Sequence, residues 1–217
     1  MDVFGSFFGW LPAGIQAILE WLTQMTGSAG IAIILLTILI RLALYPLTKK
    51  QTESMIALRE IQPKLQEIQN KYKDNPQEYQ RRVLELYREK GVNPFGGCLP
   101  LLIQFPFLIA LFQVLRTYTF EGVDPRFLIW TLTEPDRFYV LPILSGLTTY
   151  FMSAMTSGGD PSQRAMQLIM PIFIAWISIS FPAGLVLYWV VSNIFSIVQQ
   201  YMLTKSMPMV EGGAKAK

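Results

Sequence analysis

The sequence predicts an all-α membrane protein: five transmembrane helices, an N-terminal amphipathic interfacial helix and a charged cytoplasmic helical hairpin. Three observations lead there. First, the 217 residues are 52% hydrophobic and only 15% charged, with a mean hydropathy of +0.35, whereas a soluble domain carries about a quarter charged residues. Second, five apolar stretches lie at about 29–48, 97–116, 138–156, 165–180 and 184–203. Third, the basic residues are unevenly placed. Of 18 Lys and Arg, ten fall in 49–90, one (Arg164) between the third and fourth stretches and three in the tail; the intervening loops hold only Arg116, Arg126 and Arg137. By the positive-inside rule the hairpin and C-terminus are cytoplasmic and the N-terminus is outside.

In chain order, residues 1–28 form the outer-side segment, 29–48 the first span, 49–95 the hairpin, 96–203 four further spans and 204–217 a short cytoplasmic tail. The opening MDVFGSFFGWLP has no basic n-region, so neither a secretory signal nor an Arg-rich transit peptide is expected. Over 11–25, Leu11, Ile15, Ile18, Leu19, Leu22 and Met25 share one helical face, with Gln16, Glu20 and Gln24 opposite. Fifteen residues are short for a span and suit a helix lying at the interface. Gly27-Ser28 ends it.

In the hairpin, Met55, Leu58, Ile61, Leu65, Ile68 and Tyr72 recur at three- and four-residue spacing, Asp74-Asn75-Pro76 turns the chain, and Tyr79, Val83 and Leu86 continue the seam. Pro63 is expected to kink the first arm. Pro106 and Pro171 fall inside later spans, where neighbouring helices compensate a lost hydrogen bond. Met152, Met155, Met166 and Met170 gather near the inner ends of the third and fourth spans, as an adaptable apolar surface or as ordinary packing.

Residue inventory removes several chemistries. With no His and a single Cys98, neither a disulfide nor a zinc or copper site is expected, and no cofactor is implied. No GxxxxGK[ST] loop is present. A Ser–His protease lacks its base, an intramembrane aspartyl protease lacks its acids, and a proton-coupled relay lacks both. The chain is read as no enzyme. What remains is Arg41, the only charge between Glu20 and Lys49. Ionisable residues inside a membrane are functional by default, and the apolar spans contain no Asp, Glu or His to neutralise this one. The plainer reading is snorkelling toward Lys49, eight residues and roughly 12 Å away. Uncharged polar residues accompany it: Thr37 one turn earlier, Gln104 and Gln113 in the second span, and Ser192, Asn193 and Gln199 in the fifth. Singly they suit interhelical hydrogen bonds; together with Arg41 they suit a wet cavity.

Three stretches carry a resemblance: TILIRLALYPLT (37–48), NPFGGCLPLLIQFPFLIALFQ (93–113) and FPAGLVLYWVVSN (181–193). With the five-span order and the hairpin after the first span, they resemble the YidC/Oxa/Alb membrane protein insertases over roughly residues 10–204. The resemblance implies five helices around a hydrophilic groove, open to the cytoplasm and sideways to lipid and closed to the outside. It implies a bacterial plasma-membrane insertase and chaperone acting in protein transport, without nucleotide hydrolysis. Its substrate-binding groove would be lined by Arg41, Thr37, Gln104, Gln113, Tyr188, Trp189, Ser192 and Asn193. Arg41 would attract acidic residues of an incoming segment, and Thr37 and Trp189 would line its way out. Many relatives have Tyr where Trp189 stands. Partners would be nascent membrane proteins and the lipid bilayer, with the ribosome and the Sec translocon as further candidates and no specific nucleic-acid recognition. In contrast to longer members, neither a large outer domain nor an extra N-terminal span is expected, and the weakly basic tail is not expected to tether ribosomes strongly. The competing reading is a small transporter or channel in which Arg41 binds an anionic solute; a scaffold with a snorkelling Arg41 is the third.

Overall fold

The computed structural model describes residues 9–91, 99–117, 123–156 and 161–206. Expectations for the extreme N-terminus, for Asn93 to Cys98, for the Gly158-Gly159-Asp160 connection and for the tail from 207 lie outside the described residues. The described chain is helical apart from one short β-ribbon. Helix α1 spans Trp10–Thr26 and α2 Ala29–Ala43. Gly27 separates them in a left-handed conformation (φ 65°), with its N–H on the Thr23 carbonyl. The buried stripe of α1 is Ile15, Leu19 and Leu22; Ile18 and Met25, at its edges, are exposed. That stripe packs on α2 through Ala29, Ala32, Ile33 and Leu36.

Helix α2 stops at Ala43, and the chain bends by 66° into α3, Tyr45–Lys71. Pro46, in the first turn of α3, has no N–H to give and crowds the preceding turn, so a straight helix over 29–48 is not available. The apolar stretch is therefore shared between two helices, and α3 then continues through Pro63. Helix α4, Pro76–Lys90, returns antiparallel. Asn75 caps it by accepting the Glu78 N–H at 3.2 Å, and Gly91 (φ 62°) closes it. The Tyr72 ring at the turn lies under Lys71 and Arg82, 5.6 and 5.9 Å from its centroid. Arg81 and Arg82 both pair with Glu78 and Glu85 on the open face of α4. The Glu78 hydrogen bond holds the Arg82 pKa above its ordinary value.

Helix α5 spans Leu99–Thr117, α6 Val140–Thr156, α7 Pro161–Ser178 and α8 Ala183–Ser206. Between α5 and α6, strands β1 (Arg126–Phe127) and β2 (Trp130–Thr131) pair antiparallel, with Arg126 opposite Thr131. This loop fastens the start of α8: Ala183 N donates to Glu134 O at 2.7 Å and Gly184 N to Leu132 O at 2.9 Å. The buried Asp136 orients the start of α6, one carboxylate oxygen accepting the Phe138 N–H at 2.9 Å and the other the Leu141 N–H at 2.8 Å. The main core joins α1, α2, α5, α8 and the loop, through Leu19, Ile33, Leu36, Leu111, Leu132 and Val186.

Helix α6 packs on α8, and α7 packs on α6. A Cβ on Gly146 would stand 2.9 Å from the Ala175 Cβ, so a small residue brings α6 and α7 into contact, and Ser145 and Ser178 hydrogen-bond across the seam at 3.1 Å. The opposite face of α7 exposes Met166, Leu168, Ile169, Ile172, Phe173 and Trp176. Such a continuous apolar face suits hydrocarbon and not water. Among the described residues, the helix Ala183–Lys205 is alone long and apolar enough to cross a bilayer, and the bent pair α2–α3 passes jointly. Apolar helices at Gln104–Leu115, Val140–Met155 and Ala165–Ser178 are shorter. The 17 residues of α6 reach about 26 Å, a few ångströms under an ordinary hydrocarbon core.

At the loop end the Phe127 ring sits on the backbone of Gly30, where an added Cβ would overlap the ring. Gly30→Ala should therefore destabilise the bundle by about 1–3 kcal/mol through overpacking, read as a lower Tm in detergent. Adding Phe127→Ala should recover part of that loss. A Gly30→Ala protein as stable as the wild type would contradict the contact.

Candidate functional site

Two contacts orient the bundle lengthwise. The loop holds Gly30 and the start of α8 at one end. Near the bend, Gln199 Nε2 on α8 donates to Thr48 Oγ1 at 2.7 Å. Arg41 lies between, eleven residues and about 16 Å along α2 from Gly30. Ser192 lies on α8 between Gly184 and Gln199, so both side chains meet in the middle of the molecule.

The half-buried Arg41 guanidinium is held by uncharged groups. Its Nε donates to Ser192 Oγ at 2.8 Å, and Nη2 donates to Gln104 Oε1 at 3.2 Å and to the same Ser192 hydroxyl. Gln104 Nε2 donates in turn to the Tyr188 hydroxyl at 2.6 Å. Tyr188 precedes Ser192 by one turn of α8, so three helices supply one network: α2 the cation, α5 the amide, α8 both hydroxyls. Among the described residues no carboxylate pairs with Arg41, and Nη1 donates to no protein group. A hydrogen bond from a charged donor contributes roughly 1.5–3 kcal/mol and fixes direction, but it leaves the charge in place. The site is an aimed cation with one open edge.

The other expected residues divide. Thr37 is fully buried, and its hydroxyl donates to the Ile33 carbonyl at 2.7 Å within its own helix. Gln113 is exposed, nine residues from Gln104 along α5 and toward the loop end. Trp189 and Asn193 belong to a second polar cluster, against α6. Trp189 Nε1 donates to Thr149 Oγ1 at 3.2 Å, and Asn193 Nδ2 donates to Thr148 and Thr149 at 3.2 and 3.0 Å. Sequence reasoning passed over Thr148 and Thr149, although two adjacent hydroxyls in an apolar stretch carry the same signal as Ser192-Asn193. It also passed over Gln51 and Thr52, which are buried just beyond the bend on α3, a helix that contacts α8. Their position inside the charged insertion hid them.

A family model described as 60Kd inner membrane protein matches residues 21–210. The chain belongs to that family, the family of the YidC insertases. It is 41% identical over 195 residues to a membrane protein insertase YidC of Caldanaerobacter subterraneus subsp. tengcongensis, a match covering 90% of this chain and 94% of that one. With the YidC of Fusobacterium nucleatum it shares 43% identity over 183 residues, covering 84% and 89%. The YidC of Wolinella succinogenes is 41% identical over 203 residues, but the match spans only 38% of its length. Among solved structures, a crystal structure of an active YidC insertase with its first transmembrane domain resolved superposes with a TM-score of 0.74 at 34% identity. That superposition covers 93% of this chain and 47% of the other.

Water access to the polar network is testable with thiols. In a Cys98→Ala background, Gln104→Cys and Asn193→Cys should both react with membrane-impermeant polar maleimides from the hairpin side. Ile172→Cys, on the exposed apolar face of α7, should not. Unreactive thiols at both 104 and 193 would mean a dry, merely structural network.

Proposed function

We propose that this protein is a membrane protein insertase and chaperone. It admits transmembrane segments of nascent proteins from the cytoplasm into the Arg41 groove and releases them sideways into lipid. The observation that carries this reading is the Arg41 guanidinium at mid-depth, fixed by Ser192 and Gln104 and without a carboxylate among the described residues. A permanent counter-ion would quench the charge; neutral partners leave it for a transient acidic guest. Membership in the YidC family and the names of its relatives support the same conclusion.

The physical problem is the polar backbone. Each unsatisfied peptide group in hydrocarbon costs several kcal/mol, so a groove that carries polar groups and water to mid-depth shortens the costly crossing. An acidic flank of the substrate pairs with the open edge of Arg41 and is drawn inward. The apolar helix that follows then partitions into lipid, gaining about 0.8 kcal/mol per buried CH₂. An outside-positive potential pulls each acidic residue outward by about 2.3 kcal/mol per 100 mV. No step requires a bond to be made or broken, so no cofactor or nucleotide is needed.

The protein is read as a five-span protein of the bacterial plasma membrane, N-terminus outside, with the hairpin and C-terminus in the cytoplasm, where α3 and α4 meet substrates, ribosome or Sec translocon first. The Phe127 ring against Gly30 supports a groove blind at its outer end, which favours an insertase over a solute channel. In liposomes containing only this protein, a one-span substrate with an acidic outer segment should insert, scored by protease protection. Arg41→Lys should keep most of the rate, and Arg41→Ala should lower it about tenfold, equivalent to about 1.4 kcal/mol. Equal insertion by all three would remove Arg41 from the mechanism. Absence of insertion above protein-free liposomes would count against an autonomous insertase.

A further inference from the structure

The polar cluster between α6 and α8 does not close on itself. Trp189 Nε1 and Asn193 Nδ2 both donate to Thr149 Oγ1, at 3.2 and 3.0 Å, and Asn193 Nδ2 also donates to Thr148 Oγ1 at 3.2 Å. The Thr148 hydrogen is engaged by the Leu144 carbonyl at 2.8 Å, so toward Asn193 its oxygen only accepts. That fixes the amide with Nδ2 toward the threonines and Oδ1 away from them. Thr149 also departs from the pattern of its neighbours. Thr23, Thr37 and Thr148 return their hydroxyl hydrogens to the carbonyl one turn earlier. Among the described residues, the Thr149 hydrogen meets no acceptor and Asn193 Oδ1 no donor.

Both open valences are within reach of a guest. Thr149 and Asn193 are half-buried. Among the described residues, the polar side-chain atoms that are shut off without a partner are Gln51 Nε2 and Trp130 Nε1, so Asn193 Oδ1 faces its surroundings. The pair also stands beside the cation. Ser192, which holds Arg41, and Asn193 are consecutive on α8 and about 100° apart around it. One flank of α8 therefore presents a charge, and the next presents one neutral donor and one neutral acceptor. A tie between helices is complete with Nδ2 and the threonine oxygens alone; it has no use for the leftover O–H and C=O.

We infer that Thr149 and Asn193 bind the peptide backbone of the entering segment. Asn193 Oδ1 accepts a backbone N–H, and the Thr149 hydroxyl donates to a backbone carbonyl, while an acidic side chain of the same stretch reaches Arg41. A peptide group carries one donor and one acceptor, the complement of what the pair offers. A flank that is not yet helical has both unpaired, and each is costly among apolar helices. Recognition of this kind is independent of side chains, so it serves substrates of different sequence, and it leaves selection by charge to Arg41. The inference deepens the proposed function and rests on it, but the two make separable predictions.

The test uses a synthetic one-span peptide with an acidic flank, labelled with fluorescein, and the full chain in maltoside micelles, with binding followed by anisotropy. An N-methyl group is placed on each flank amide in turn, which deletes one N–H and keeps every side chain. On wild type, one position should weaken binding about tenfold, and the other positions should change it little. In Asn193→Leu, which has no acceptor, that penalty should fall below about twofold. Arg41→Ala should bind the unmodified peptide more weakly and keep the N-methyl penalty. If Arg41→Ala binds as well as wild type while the penalty remains, the role given to Arg41 falls and the backbone site stands. The inference is overturned if no position on wild type is sensitive, which needs no variant to fold, or if Asn193→Leu shows the full penalty. Absence of binding by the unmodified peptide overturns both readings.

Discussion

Everything at the centre of this protein follows from a cation placed among apolar helices and given no carboxylate partner among the described residues. Arg41 would be strongly unfavourable in a dry apolar site. The fold lowers that penalty with dipoles: Ser192 and Gln104 orient the guanidinium, and Tyr188 orients Gln104. Dipoles hold a charge in position without neutralising it. On the function proposed above, the arrangement is stable enough to fold and leaves the charge open to an incoming carboxylate, which a fixed Asp or Glu beside it would quench.

The architecture serves that placement. Helix α8 is the common wall: its start is tied to the loop, its middle carries Tyr188 and Ser192, and its far end meets Thr48 at the bend. Helix α2 runs beside it from Gly30 to the break at Leu44. The 66° turn there carries the chain out of the bundle before the charged arms begin, so Lys49 and Lys50 are exposed a short way beyond Arg41. Helices α6 and α7 add Thr148 and Thr149 to the polar side and a continuous apolar face to the other. The short apolar helices suit a site where the bilayer is thin, and a thin bilayer shortens the path that a substrate must cross.

Much of this was legible in the residues. Arg41 stood out because charge is rare in apolar sequence, and Gln104 and Ser192 because amides and hydroxyls there need partners. Gly27 and Asn75-Pro76 marked helix ends through local backbone chemistry. The turn at Leu44 was less visible, because the sequence stays apolar on both sides and only Pro46 reports the change of direction. Thr37 illustrates a limit of helical spacing. One turn from Arg41 places it on the same face, yet the packing around α2 buries it and its hydroxyl bonds within its own helix. Gln51 and Thr52 reveal the reverse limit: a polar composition suggests solvent, while tertiary packing has buried both. Phe127 against Gly30 joins residues almost a hundred positions apart, a contact that no local pattern encodes.

The central claim is that the charge at position 41 acts on the substrate and not on the fold. A charge-exchange experiment tests it most directly. Insertion would be measured for wild type and Arg41→Glu, each with a substrate whose outer segment is acidic and with the same substrate after its acids are replaced by Lys. The account predicts a crossed result: wild type favours the acidic substrate, Arg41→Glu loses it, and the basic substrate recovers with Arg41→Glu. If Arg41→Glu lowers insertion of both substrates alike, the guanidinium serves only to hold the bundle together, and the account is wrong.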